Sequence, residues 1–382
     1  MKTENTNALG IIFPNIYDEL VPELTSERLM ASLPFASRYR IIDFVLSSMV
    51  SCGIDNIAVL VRKNYFSLLD HLGSGREWDL TRKNGGLTIF PPFAEKNMDV
   101  SSGKVSMIAN LTGFLKSQRE KYVILSDANI VSNFDFNALL DTHIESGADV
   151  TVAYTKQKLP QSIIEAENTT KSMYYTIDMD GTRVKKININ SKEEGIQNFS
   201  MNTYVFEREK LVQLVNEVLI AGGIYLERDV LMPRLGSLNI HGYEYKEYVA
   251  RIDSLKGYFD ENMKLLDNEN LDALFGNGKN PIHTKVRDDN PTRYITGASA
   301  KNVMVADGCV IEGDIENSIL FRGVKVGKGA KVKNSILMQD TVVGEGANVD
   351  YVITDKKVQI TEGKELKGTD TFPVFIAKKQ VV

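Results

Sequence analysis

The sequence predicts two folded units in series: an α/β domain built on a parallel sheet covered by helices, then a parallel β-helix of hexapeptide repeats. Three observations carry this. From residue 8 to about 258, short apolar runs of strand type alternate with amphipathic helical stretches. A polar, turn-rich break follows, and beyond it the sequence echoes itself at a fixed spacing.

In chain order, Ile57–Val61, Tyr122–Leu125 and Val150–Tyr154 read as buried strands, with a helix over Phe134–Ser146 between the last two. Gly276, Gly278, Pro281, Asp288, Asp289, Asn290 and Pro291 then crowd into a linker. After it, Glu316-Asn317-Ser318-Ile319-Leu320 returns 17 residues later as Lys333-Asn334-Ser335-Ile336-Leu337, and Val326-Gly327-Lys328-Gly329-Ala330 returns as Val343-Gly344-Glu345-Gly346-Ala347. Apolar residues recur at every sixth place, at Val303, Cys309, Ile315 and Phe321, then Val326, Val332 and Met338. Three hexads, shortened by one residue at a corner, make one triangular coil with an inward side chain per face, and glycines are expected to supply the corner dihedrals. The boundaries expected from this reading are 1–258 for the first domain, 259–294 for the linker and 295–382 for the β-helix.

With 382 residues, the chain exceeds what one hydrophobic core usually serves. A net charge of −5 provides no broad positive field for nucleic acid or an anionic membrane, so any phosphate must be caught by a local cation cluster. Two distant cysteines, Cys52 and Cys309, fit a reducing cytoplasm and no thiolate metal site. The N-terminal apolar run Ala8–Phe13 is too short for a signal peptide, and no run approaches the ~20 residues that span a bilayer. A cytoplasmic protein is expected.

Two motifs carry a family resemblance. Pro34-Phe35-Ala36-Ser37-Arg38-Tyr39-Arg40-Ile41-Ile42-Asp43-Phe44-Val45-Leu46-Ser47, and Gly73-Ser74-Gly75-Arg76-Glu77-Trp78-Asp79-Leu80-Thr81-Arg82 followed by Gly85-Gly86 and Pro91-Pro92, resemble segments of bacterial glucose-1-phosphate adenylyltransferases. Ser200-Met201-Asn202-Thr203-Tyr204-Val205-Phe206 resembles a further strand of that family. The resemblance implies a Rossmann-like nucleotidyltransferase domain followed by a left-handed β-helix. It also implies a reaction in which glucose 1-phosphate attacks the α-phosphorus of ATP while Mg²⁺, held by two aspartates, neutralises developing charge.

Placed on the family's motifs, however, the residues that should do this work have changed. The nucleotide loop reads Phe13-Pro14-Asn15-Ile16-Tyr17-Asp18-Glu19-Leu20-Val21-Pro22-Glu23-Leu24-Thr25, with no glycine, and Glu19 stands where an arginine would meet phosphate. Met30 falls at a phosphate-facing lysine, Asn190 at the sugar-phosphate lysine, and Arg251 at the second metal aspartate. In Leu125-Ser126-Asp127-Ala128-Asn129, ungapped counting puts Ala128 at the first metal aspartate, and a one-residue slip offers Asp127. The resemblance therefore implies the family's non-catalytic, regulatory GlgD-type subunit. Such a chain holds no cofactor, leaves Mg²⁺ to a catalytic partner in a heterotetramer, pairs with that partner or with itself, and binds a small phosphorylated effector between its domains. Arg28, Arg40 and the tail residues Lys378 and Lys379 are the effector candidates.

Two other functions compete with this one. An active nucleotidyltransferase could have moved its metal ligands, for instance onto Asp127 and Asp253. A hexapeptide acyltransferase would need a histidine in or near the coils, and none of His71, His143, His241 and His283 lies there, so all four read as structural. Trp78 is expected to pack between the domains or to touch a ligand.

Overall fold

A computed structural model describes residues 7–91, 103–160, 164, 173–276 and 280–382; Pro92 and Gly278 of the motifs above lie outside the described residues. The first domain is built on nine strands: β1 (Ala8–Phe13), β2 (Asn56–Leu60), β3 (Gly86–Phe90), β4 (Tyr122–Asp127), β5 (Val150–Lys158), β6 (Tyr175–Asp180), β7 (Arg183–Ile189), β8 (Ile196–Glu207) and β9 (Ile240–Glu244). Their order across the sheet is β3-β2-β1-β4-β8-β5-β9-β7-β6.

The sheet is mixed, which corrects the expectation of a parallel one: β8 runs antiparallel to both β4 and β5, and β7 antiparallel to β9 and β6. Strand direction leaves no mark on a segment buried on both faces, and β8 is such a segment, buried from Phe199 to Phe206. Helices cover both faces, Ile41–Ser51 and Phe136–Ser146 on one, Lys104–Ala109 and Arg208–Ile220 on the other. One core cluster fills each face, with Leu9, Ile11, Val123 and Phe206 in one and Ile12, Ile57, Ile124 and Val205 in the other. Trp78 belongs to the second, where its indole N–H donates to Ser47 Oγ at 3.2 Å; it sits inside the first domain and not between domains.

Beyond the linker, parallel strands stack into three faces. Lys325↔Val342↔Gln359, Asp314↔Lys331↔Asn348↔Glu365 and Ile319↔Ile336↔Ile353 keep the 17-residue offset. The first coil is tighter, pairing Ser299 with Asp314 and Val310 with Lys325 at 15 residues, and the last is longer, pairing Val352 with Val374 at 22. Glycine serves only some corners: Gly329, Gly346 and Gly363 stack at φ 67°, 65° and 64°, while Asn302, Asn317 and Asn334 stack at φ 50°, 45° and 43°. Asparagine tolerates this left-handed region better than other side chains do, which explains the repeated Asn-Ser pair.

The third face differs from the hexad expectation. Leu320, Leu337 and Val352 point into the coils, but Phe321 and Met338, read as inward positions, join Ile319, Ile336 and Ile353 in a cluster shared with Phe35, Phe44 and Tyr258 of the first domain and with Phe259 and Leu274 of the linker, which is helical over Leu255–Met263 and Asn268–Phe275. A face buried on both sides is apolar at consecutive positions, so a period of six cannot separate inside from outside there.

Candidate functional site

The C-terminal ends of β1 and β4 lie side by side, with Phe13 in register with Asp127, and the loop after β1 folds over them. That loop is fastened by its own polar groups. Thr25 Oγ1 donates to the carbonyls of Asp18 (2.6 Å) and Val21 (2.9 Å), the Met30 N–H donates to Asp18 Oδ1 (2.7 Å), and the Ala31 N–H to the Pro14 carbonyl (3.0 Å). Burial pushes the Asp18 carboxyl up to about 7. Backbone donors that a glycine-rich loop would turn toward phosphate are replaced by a short 3₁₀ turn over Asp18–Leu20 and a helical turn over Pro22–Thr25.

The five altered positions, Glu19, Met30, Ala128, Asn190 and Arg251, do not line one pocket. Glu19 is exposed, Met30 is buried in the cluster between the domains, and Ala128 is buried with its N–H on the Phe13 carbonyl at 3.2 Å. Asn190 takes a left-handed turn (φ 49°) and closes a double contact with Tyr174: its Oδ1 accepts from the Tyr174 N–H and its N–H donates to the Tyr174 carbonyl, both at 3.0 Å. Only Arg251 enters the cavity, which is walled by Tyr17, Asn129, Tyr174, Phe199, Asn202 and Asp253. Its guanidinium lies 3.7 Å from the centre of the Phe199 ring and donates to the Ser200 carbonyl at 2.8 Å. Burial lowers its pKa to about 10, with Tyr17, Asp253 and Asp127 opposing; it remains a cation throughout the physiological range.

Asp127 meets a second cation that the sequence reading missed. Lys104 Nζ lies 2.9 Å from Asp127 Oδ2 and 2.8 Å from Glu227 Oε1, and Tyr204 OH donates to the same Glu227 oxygen at 3.0 Å. Burial works against the Lys104 ammonium, but the two carboxylates outweigh it and raise its pKa. Burial pushes the Asp127 carboxyl up to about 6, with Lys104 opposing. A Mg²⁺ held by two aspartates does not fit this arrangement: the carboxylate available at β4 is already ion-paired with an ammonium, and a guanidinium stands at the other position. Among the described residues, no group of three or more His, Cys, Asp or Glu is gathered as metal ligands. The alternative pair is no better placed, since Asp127 faces Lys104 and Asp253 shares its cavity with Arg251.

A second concavity lies between the domains. Six cations line it, Arg38, Arg40, Lys285, Arg287, Arg322 and Lys356, with one carboxylate, Asp70. Arg322, Gln339 and Lys356 stand 17 residues apart, one per coil, a periodic signal present in the sequence. Arg40 is fixed by its guanidinium, which donates to the Ser67 carbonyl (2.6 Å) and to Ser67 Oγ (2.9 Å), and burial lowers its pKa to about 10. Burial, then the neighbouring Arg40 and Arg28, push the Lys356 ammonium down to about 7. His71, at the rim, bonds Asp43 Oδ1 at 2.5 Å.

Of the four effector candidates, only Arg40 lines this concavity. Arg28 is 2% exposed and pairs with Asp355 at 2.8 Å, Lys378 pairs with Glu27, and the exposed Lys379 reaches the neighbourhood through its backbone, its N–H bonding the Lys356 carbonyl at 3.0 Å. Sequence distance hid the Arg28 partner, which lies 327 residues away.

Among the described residues no helix is long and apolar enough to cross a membrane. Residues 19–219 match the nucleotidyl transferase family model, and residues 285–371 match the GlmU-like C-terminal hexapeptide model. The chain is 36% identical over 375 residues to a glycogen biosynthesis protein GlgD of Bacillus subtilis, covering 98% of this chain and 96% of that one. It is 38% identical over 329 residues to the GlgD of Geobacillus stearothermophilus (86% and 83% covered), and 30% identical over 316 residues to the glucose-1-phosphate adenylyltransferase of the same organism (81% and 79%).

Proposed function

The chain belongs to the glucose-1-phosphate adenylyltransferase family, alongside its GlgD members, and from that premise we propose that it is a catalytically deficient, regulatory subunit of glycogen biosynthesis in the cytoplasm. The observation that carries the reading is the pair of cations, Arg251 and Lys104, at the place where the family's chemistry needs metal-binding carboxylates. Its partner is a catalytic glucose-1-phosphate adenylyltransferase subunit in a mixed tetramer, and Mg²⁺ belongs to that partner.

The test is an assay of the purified chain, alone and mixed with a catalytic subunit. Alone, with ATP, Mg²⁺ and glucose 1-phosphate, it is expected to release no pyrophosphate above background. Mixed, it is expected to co-elute with the catalytic subunit and to change that subunit's rate or effector response. Turnover by the chain alone at ordinary enzyme rates, lost on Asp127→Asn, would overturn the reading.

The inter-domain concavity is the proposed effector site, taking a small phosphorylated anion. Removing a cation that bonds an anion typically costs ~1.5–3 kcal/mol, so Arg40→Ala is expected to weaken sulfate or sugar-phosphate binding by roughly 10- to 100-fold in the mixed tetramer. An unchanged response would exclude this site.

Sulfate, whose own charge is constant near neutrality, reports the pH dependence. Lys356 has its pKa lowered from 10.5 to about 7 in the folded chain, so it is charged below that value and loses its proton above it. Sulfate is therefore expected to bind more tightly at pH 6 than at pH 8, with the profile flattened by Lys356→Met. For folding the sign is opposite: confining a charged amine is unfavourable below pH 7 and is relieved as pH rises toward 10.5. Isothermal titration at the two pH values decides; equal affinities would remove Lys356 from the site.

A further inference from the structure

Lys104 is brought to Asp127 by a backbone fit and not by chance proximity. The carbonyl of Ile224 accepts from the Val105 N–H at 3.0 Å, and a Cβ on Gly103 would lie 2.2 Å from that carbonyl oxygen. Only glycine permits this approach, and it places Lys104 at the start of the helix Lys104–Ala109, opposite the turn that carries Glu227. The ammonium is enclosed. Glu227 Oε1 accepts its hydrogen bond, Asp127 Oδ2 is ion-paired with it at 2.9 Å, the rings of Phe13 and Tyr204 lie 5.8 and 5.4 Å away, and the residue is 4% exposed. Two carboxylate oxygens within 2.9 Å of one point are the arrangement a hard cation seeks, and here a tethered cation fills it.

We infer that Lys104 is the resident cation of this cleft, a side-chain ammonium in place of the divalent metal implied by the family, and that its removal leaves Asp127 and Glu227 able to take up a divalent cation. The inference deepens the reading of the chain as catalytically deficient. The two are separable, because metal uptake is measured on this chain alone whereas regulation is measured in the mixed tetramer. A purely structural ion pair would lose stability on substitution but would acquire no metal response.

The full-length chain is titrated with Mn²⁺, followed by electron paramagnetic resonance, and melted with and without the ion. For the unsubstituted chain, no cleft-bound Mn²⁺ and no change in melting temperature are expected. Lys104→Met is expected to melt lower, to bind about one Mn²⁺, and to rise by about 2 °C at ten times the dissociation constant. The double variant Lys104→Met/Asp127→Asn should lose that response. Two results would overturn the inference: Mn²⁺ bound by the unsubstituted chain and released on Asp127→Asn, or a folded Lys104→Met that ignores Mn²⁺. If Lys104→Met does not fold, the unsubstituted chain and Asp127→Asn still decide.

Discussion

Asp355→Leu is expected to lower the stability of the chain by about 3–5 kcal/mol, the range found when one partner of a buried ion pair is removed. Arg28 and Asp355 meet at 2.8 Å, with side chains 3% and 6% exposed. Leucine would leave the guanidinium without its carboxylate in a place water scarcely reaches, and Arg28 Nη1 already has no acceptor of its own. The desolvation cost dominates, because the pair's own net contribution is small. The double variant Arg28→Met/Asp355→Leu, which removes both charges, should therefore recover most of the loss. Urea midpoints of the three proteins measure this. A single variant within about 0.5 kcal/mol of the parent would mean that the pair is open to solvent.

Ile336→Ala is expected to cost about 2–5 kcal/mol. Ile336 is 0% exposed, flanked in register by Ile319 and Ile353 on neighbouring coils, and it shares a cluster with Phe35, Phe44 and Tyr258 of the first domain. Truncation would open a void that neither rigid neighbour can close, since the coil backbone is held on both sides by parallel ladders. Val342→Ala, at a residue 37% exposed on another face, is the control and should stay within about 0.5 kcal/mol. Equal losses at the two positions would show that the third face is not packed as a domain contact.

How much of this was legible in the sequence depends on how locally each feature is written. The β-helix was legible because its period repeats the same residue types, although glycines alone were expected at corners that asparagines share. Its 15-residue coil was not, since the altered spacing falls where the repeat is weakest. The main strands were visible as apolar runs, but the reversal of Ile196–Glu207 was not, because a doubly buried strand looks alike in either direction. At the site, Arg251 and Arg40 stood inside recognisable motifs. Lys104 and Glu227 did not: their meeting depends on Gly103 touching Ile224, and nothing in either segment announces the other. The cationic concavity was half written, in the stack of Arg322, Gln339 and Lys356, while Lys285 and Arg287 come from a linker without pattern.

The apolar seam joining the first domain to the third face of the β-helix ties the inheritance of the two halves together. Ile319, Phe321, Ile336, Met338 and Ile353 fit one particular set of aromatic neighbours. A hybrid gene that joined this N-terminal half to other coils would close the seam only if those coils supplied the same apolar face and an acid opposite Arg28. The exchangeable unit of this chain, for recombination or for engineering, is the whole of it.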